Sequence, residues 1–131
     1  MYDIRCKDVA RILAEGPKAY KEIATELHTI YSGLDPQGSW IKTVLLKWNP
    51  LVVNIGKNMW GLSDLGKAFV KLPGNFGGTL TDAEKYFITG LLMSDKEQRE
   101  IASELILHGK SSKNKWVVNA TRVMLKRLGI I

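Results

Sequence analysis

Cysteine, histidine and long apolar runs are all scarce in this sequence. The 131 residues include one cysteine, Cys6, and two histidines, His28 and His108. A single cysteine cannot form an internal disulfide, and these three residues lack the close spacing of a zinc site. The apolar runs are too short for a membrane span, and Met1 is followed by no apolar signal-peptide core. We therefore expect a cytoplasmic protein in a reducing environment that holds no metal.

Signatures of catalysis are also missing from the sequence. There is no G-x-x-x-x-G-K-[ST] phosphate loop, since the glycine-rich stretch 74–78 has no lysine. No serine, histidine and carboxylate grouping stands out. The acids Glu22, Glu26, Glu100 and Glu104 have the four-residue spacing of solvated helix surfaces. The sequence predicts a non-catalytic protein without a cofactor.

What the sequence does have is an uneven distribution of charge. The hydrophobic fraction of 45% is enough for a core, and the formal net charge is +6. Residues 1–107 contain equal numbers of basic and acidic side chains, whereas residues 108–131 contain no acid. The basic residues of this last segment are Lys110, Lys113, Lys115, Arg122, Lys126 and Arg127. Such a patch serves solubility or attracts a polyanion, and nucleic acid is the commonest polyanion inside cells.

One six-residue phrase occurs twice. Residues 22–27 read EIATEL, and residues 100–105 read EIASEL. The Ile, Ala and Leu of each copy have the i, i+1, i+4 spacing of one buried helix face. An apolar helical segment precedes each copy, and a helical segment with a tryptophan near its start (Trp40 and Trp116) follows it. The repeat predicts two units, each with three helices in the same order.

Helix ends are predicted by capping residues. Thr81 with Glu84 forms the pattern of a capping box, and Asp95 is placed to cap the helix of the second copy. Gly109 is placed to end that helix. These positions support helices on both sides of residue 94.

The first unit resembles the winged helix-turn-helix fold. After its third helical segment, Asn49-Pro50 breaks the chain, and residues 52–62 read as a β-hairpin with its turn at 56–58. The run WGLSDLG at 60–66 resembles the aromatic-x-L-[ST]-x-x-G phrase that closes the wing in many winged-helix proteins, and Ser63 would cap the helix that follows. The end of the chain, LKRLGII at 125–131, is similar to the L-x-x-L-G-[LI]-[IV] phrase that leads from a third helix into a wing.

This resemblance implies a mainly α fold with a small β-hairpin wing, built as two tandem winged-helix-like units of three helices. We expect the first unit at residues 1–72, a linker at 73–79 that is rich in glycine and proline, and the second unit at 80–131. The second unit lacks a complete wing. It is therefore either wingless or the end of a piece of a longer protein.

The function that the resemblance implies is sequence-reading binding of duplex DNA, with third helices in the major groove. The protein would be a transcription regulator or the DNA-recognition module of a larger system, associated with the nucleoid if its source is bacterial or archaeal. The order of its segments also resembles the recognition subdomains of type IIS restriction endonucleases. The narrow major groove of duplex RNA does not admit a helix, which favours DNA.

The residues expected to face DNA are polar or basic positions on the third helices and at the wing tip. We expect base edges to be contacted by Gln37, Ser39 and Thr43, and phosphates by Lys42, Lys47 and Lys57. The second unit is expected to present Ser112, Lys113, Asn114, Lys115, Asn119 and Arg122, with Asn119 and Arg122 suited to adenine and guanine. Each of these could instead be a solvated surface residue. The higher charge of the second unit makes it the expected electrostatic anchor.

The apolar stripes of the third helices predict the side chains that face the core. In the first unit these are Trp40, Ile41, Val44, Leu45 and Trp48. In the second they are Trp116, Val117, Ala120, Val123, Met124 and Leu128. On this pattern the three tryptophans belong to the core and are not stacking platforms.

The alternative function is a winged-helix module that binds another protein in a nucleic-acid-processing assembly. The first unit, at +2 over residues 1–70, would contact the partner in that case. A homodimer also remains open, although no coiled-coil heptad is present. The concentration of positive charge around one third helix favours DNA over this alternative.

Overall fold

The computed structural model describes residues 4–33, 40–93, 95–110, 114–127 and 129–131. It divides the chain into unit 1, Met1–Thr79, and unit 2, Leu80–Ile131. The chain is mainly helical with one small antiparallel sheet, so the predicted fold class is confirmed. Within the described ranges, no helix is both long and apolar enough to cross a membrane.

The described residues of unit 1 form four helices and a three-stranded sheet. Its elements are α1 (Cys6–Leu13), β1 (Lys18–Ala19), α2 (Tyr20–Ile30), a π-helix (Ile41–Lys47), β2 (Val52–Gly56), β3 (Met59–Leu62) and α3 (Asp64–Val70). The strand order is β1-β3-β2, and both pairings are antiparallel. The hairpin and the helix after it were predicted, whereas the two-residue β1 was not, because it is too short to show a period-two pattern.

Unit 2 consists of three helices, α4 (Asp82–Leu92), α5 (Lys96–His108) and α6 (Lys115–Arg127). The predicted caps are confirmed: Thr81 and Glu84 form a capping box, and the Asp95 side chain accepts a hydrogen bond from the Gln98 N–H. Gly109, with φ of 70°, ends α5 in the left-handed conformation. Beyond α6, the N–H of Ile130 bonds to the Leu125 carbonyl and that of Gly129 to the Lys126 carbonyl, which is a Schellman turn.

The repeated phrase forms the buried face of the second helix of each unit. Ile23, Ala24 and Leu27 are buried in α2, and the matching residues Ile101, Ala102 and Leu105 are buried in α5. The hydroxyl at the one differing position makes the same bond in both copies: Thr25 donates to the Lys21 carbonyl and Ser103 to the Arg99 carbonyl. The shared hydroxyl is therefore accounted for by a bond within each helix.

The segment predicted as a linker is hydrogen-bonded to α1. The buried Lys7 ammonium donates to the Asn75 carbonyl at 2.6 Å, and the Gly77 N–H donates to the buried Asp8 carboxylate. Asp8 also accepts a hydrogen bond from the Tyr31 hydroxyl. The buried charges of Lys7 and Asp8 lie side by side, and such a pair is stable only when both groups have further hydrogen bonds. The contacts with Asn75, Gly77 and Tyr31 supply these hydrogen bonds. Residues 75 and 77 are thereby fixed to unit 1.

The third helix of unit 1 is wound as a π-helix, and this changes which side chains are buried. The Trp48 N–H bonds to the Thr43 carbonyl five residues back, which widens the turn. Ile41, Val44 and Leu45 are buried as predicted, but the prediction for the two tryptophans was wrong: Trp40 is 48% and Trp48 61% exposed. The expected stripe assumed 3.6 residues per turn, and a wider turn carries the ends of the segment away from that face.

The predicted inner face of α6 was also wrong. The structure buries Val118, Thr121 and Leu125, whereas Val117 is half-buried. Four residues expected in the core are exposed, namely Trp116, Ala120, Val123 and Met124. The side chain of Leu128 lies outside the described residues. The segment has two sets of apolar residues at helical spacing, and periodicity alone does not decide which of them packs inward.

The buried hydroxyl of Tyr86 should make unit 2 sensitive to alkali. In the described part of the chain this hydroxyl has no hydrogen-bond partner. Burial raises the pKa of Tyr86, and the carboxylates of Asp82 and Glu104 raise it further. The folded state therefore keeps the proton more tightly than the unfolded state, so the stabilisation is complete below pH of about 10 and is lost as the pH rises above it.

We expect Tyr86→Phe to remove this dependence. Urea unfolding midpoints measured from pH 8 to pH 11 should fall more for the original chain than for the variant. All other titrating groups are common to the two proteins and cancel in the difference. Equal losses in both would show that Tyr86 does not titrate differently on folding.

Candidate nucleic-acid interface

A concavity lies where α2, the π-helix and the hairpin turn of unit 1 meet. It has a volume of about 620 Å³, and Ala19 and Ala24 contribute its apolar lining. Its polar and aromatic lining consists of Tyr20, Lys21, Thr25, Lys42 and Asn58. Two of the lining side chains are basic and none is acidic, so the cavity suits a negatively charged group.

The start of α2 is tied directly to the hairpin turn. β1 pairs with β3 in the register Lys18 with Trp60 and Ala19 with Met59. The N–H of Tyr20, the first residue of α2, donates to the Asn58 carbonyl at 3.0 Å. Asn58 has a φ of 58°, in the left-handed region that asparagine adopts more readily than most residues. The turn residues therefore stand beside the N-terminal end of α2.

Lys42 reaches from the π-helix to the first turn of α2. Its ammonium lies 4.9 Å from the centroid of the Tyr20 ring, within the range of a cation–π contact. Lys42 is exposed, so the contact orients the ammonium at the cavity without burying it. Together with Lys21, this places two cations at one opening.

Glu26, an acidic residue of α2 near these cations, is paired with Lys18. Lys18 donates to both carboxylate oxygens of Glu26, at 3.0 and 3.1 Å. The hydrogen bond to Glu26 raises the pKa of Lys18, with Glu15 adding to this and partial burial opposing it. Lys18 also donates to Glu15, so one ammonium is shared by two carboxylates and the charge of Glu26 is compensated in part.

The structure brings together part of the predicted site of unit 1. Lys42 lines the cavity, and Lys57 is exposed in the turn next to Asn58. Lys47 is exposed at the far end of the π-helix, and Thr43 is half-buried beside it. Gln37 and Ser39 lie outside the described residues.

The predicted site residues of unit 2 that the structure describes lie on α6 and at the residue before it. Asn114, Lys115 and Asn119 are exposed, and Arg122 is half-buried. The Asn114 side-chain oxygen accepts a hydrogen bond from the Trp116 N–H, so this oxygen is already occupied in starting the helix. Ser112 and Lys113 lie outside the described residues.

Sequence reasoning missed Tyr20, Lys21 and Asn58 as members of the site. A signal for Lys21 was present, because the buried stripe Ile23, Ala24 and Leu27 leaves position 21 on the outer face of α2. No such signal existed for Tyr20 and Asn58. Their place depends on the pairing of β1 with β3, which joins residues about forty positions apart.

The described residues contain no group of three or more histidine, cysteine or acidic side chains that could hold a metal ion. Comparisons with protein-family models, with curated proteins and with solved structures found no match.

Proposed function

We propose that this protein binds duplex DNA, and that unit 1 meets the phosphate backbone with the cavity between α2, the π-helix and the hairpin turn. The single observation behind the proposal is the meeting of Lys21 and Lys42 at one acid-free opening, with the exposed Lys57 in the adjoining turn. Phosphate contacts of this kind supply essentially all of the non-specific affinity of proteins for DNA and a large share of the specific affinity.

The order of elements in unit 1 supports the proposal. A helix, a strand, two helices and a hairpin follow each other, and this order resembles that of winged helix-turn-helix proteins. In such proteins the third helix enters the major groove and the turn between the wing strands lies against the backbone. The exposed Lys42 and Lys47 belong to the third helix here, and Lys57 to the turn.

The exposed side chains of Trp40 and Trp48 affect how the third helix of unit 1 would contact DNA. Trp40 and Trp48 flank the π-helix and are largely in solvent. Arg5 lies 5.9 Å from the ring of Trp40, so this ring already stacks with a cation. An aromatic ring beside a groove would contact sugar or thymine methyl groups, whereas Lys42 and Lys47 would contact phosphates.

Replacing both cavity lysines should weaken DNA binding through its salt dependence. In a fluorescence anisotropy titration of labelled duplex, each lysine that neutralises one phosphate contributes about −0.9 to the slope of log affinity against log salt. We therefore expect the double variant Lys21→Gln, Lys42→Gln to flatten the slope by about 2 and to lower the affinity most at low salt.

The matched control is Lys71→Gln, another exposed lysine of unit 1, which does not line the cavity. It changes net charge without touching the proposed interface and should leave the slope nearly unchanged. If Lys71→Gln flattened the slope as much per charge as the cavity variant, binding would depend on net charge alone, and the assigned interface would be wrong.

A protein-interaction module remains the second candidate function, because α6 presents large apolar side chains to solvent. Trp116 is 78% exposed and Val123 49%. Apolar surface of this kind is typical of protein-binding sites. The two functions are compatible, since they use different units.

A further inference from the structure

The outer face of α6 is an apolar ridge with basic edges. An α-helix turns by about 100° per residue, so Trp116, Val123 and Arg127 point away from the buried stripe of Val118 and Leu125. Ala120 and Met124 lie along one side of this ridge, and both are exposed. The helix thus has a buried apolar face and, opposite to it, an exposed one.

The other side of the ridge is positively charged. It is formed by Lys115, Asn119 and Lys126, all exposed, and Arg127 extends the charge to the C-terminal end. The described residues of α6 include no acid to balance these cations. A partner for this face must therefore offer apolar side chains to the ridge and negative charge to its edge.

Two other occupants fit the face less well than a protein segment. A second copy of α6 would bring like charges together, which disfavours pairing of this face with itself. Duplex DNA supplies negative charge, but the major groove has few apolar groups besides thymine methyls, so Trp116 and Val123 would lose much of the gain of burial there.

We propose that the outer face of α6, defined by Trp116, Val123, Met124, Lys115, Lys126 and Arg127, docks an acidic amphipathic helix of a protein partner. The partner's apolar stripe packs on Trp116 and Val123, and its carboxylates face Lys126 and Arg127. An exposed tryptophan beside basic residues matches the composition of binding hot spots. The inference is independent of the DNA proposal, which concerns unit 1.

The test uses the full chain and three labelled synthetic peptides of about five helical turns. The first has leucine at positions i, i+3, i+4 and i+7 with glutamate elsewhere. The second has the same composition in scrambled order, so its charge is equal but it has no apolar face. The third replaces glutamate by lysine. We expect micromolar binding of the first, at least tenfold weaker binding of the second, and no binding of the third.

Variants locate the binding site. Val123→Asp removes an apolar side chain and adds a negative charge, and it should weaken binding of the first peptide at least tenfold; Trp116→Ser should also weaken it. Leu65→Asp, at a residue of α3 that is 44% exposed, is the matched control and should have no effect. All three positions are exposed, and far-ultraviolet circular dichroism checks that each variant keeps its helices.

Four results would overturn the proposal. They are equal binding of the scrambled peptide, failure of the first peptide to bind, self-association of the chain that Val123→Asp abolishes, and duplex binding that Val123→Asp weakens as much as the cavity variant does. The third would assign the face to a second copy, and the fourth would assign it to DNA. Loss of DNA binding in the Lys21 and Lys42 variant alone leaves this inference untouched.

Discussion

The substitution Gly66→Ala is expected to destabilise unit 1 by about 3 kcal/mol or more, because the fold leaves no room for a methyl group at this position. A Cβ on Gly66 would overlap the Leu51 carbonyl oxygen and would lie 2.9 Å from the Leu51 carbonyl carbon and 3.0 Å from the Leu62 side chain. The Leu51 oxygen cannot move away freely, since it accepts a hydrogen bond from the Ser63 N–H. Urea unfolding followed by tryptophan fluorescence measures the loss.

Gly33→Ala is the matched control for this prediction. Among the described residues, none has an atom within 4 Å of a Cβ placed on Gly33, and the backbone of Gly33 does not need a positive φ. We expect this variant to be as stable as the original chain or slightly more so, because alanine restricts the unfolded state. Similar losses in both variants would contradict the close approach of α3 to Leu51.

The close contact of Gly66 with Leu51 also accounts for the WGLSDLG phrase, which resembles the end of a wing. In the run 60–66, Ser63 accepts a hydrogen bond from the Gly66 N–H, donates to the Pro50 carbonyl, and so starts α3 against the chain that leads into β2. Gly66 follows one turn later, where the helix touches Leu51. The spacing of serine and glycine in the phrase is the spacing that this contact requires.

The substitution Asn49→Asp should have the second large effect. The buried Asn49 amide donates to the carbonyls of Cys6 and Leu45 at 3.1 and 3.0 Å, and its oxygen accepts from the Leu51 N–H. It thereby joins α1, the π-helix and the approach to β2. An aspartate has the same shape, but it replaces the amide donor by an acceptor oxygen that faces two carbonyl acceptors, and it buries a charge. We expect a loss of about 3 kcal/mol at pH 7.

Low pH distinguishes the charge from the shape in this experiment. Protonation of the aspartate, near its ordinary pKa of about 4 or above it, removes the charge and restores one donor. Part of the lost stability relative to the original chain should therefore return as the pH falls toward 4. Asn54→Asp, at an exposed position in β2, is the control and should cost little at either pH. A loss at Asn49 as small as that at Asn54 would refute the three-bond arrangement.

Local patterns in the sequence were sufficient for much of the fold. The capping residues Thr81, Asp95 and Gly109 act within one turn of their helices, so their neighbours in the sequence are also their partners. The repeated phrase predicted the burial of α2 and α5, because its apolar residues share one helix face. These features need no knowledge of distant residues.

The sites that were missed depend on contacts between distant residues. Asn58 contacts Tyr20 because β1 pairs with β3, which the local sequence does not show. The π-helical winding that exposes Trp48 is likewise not predicted by the spacing of apolar residues. α6 has two groups of apolar residues at helical spacing, and only the group with Val118 and Leu125 is buried. The turn after α6 places the buried Ile130 next to Leu125, so it belongs to the packing of this buried group. Periodicity identifies amphipathic helices well, but it does not choose between two apolar faces of one helix.

The most direct test of the central proposal is the binding of the full chain to labelled duplex DNA of mixed sequence, measured by fluorescence anisotropy across a salt series. If Lys21, Lys42, Lys47 and Lys57 each neutralise one phosphate, we expect micromolar affinity at low salt and a slope of about −3.6 in log affinity against log salt. No binding at low salt, or binding that does not change with salt, would contradict the proposal.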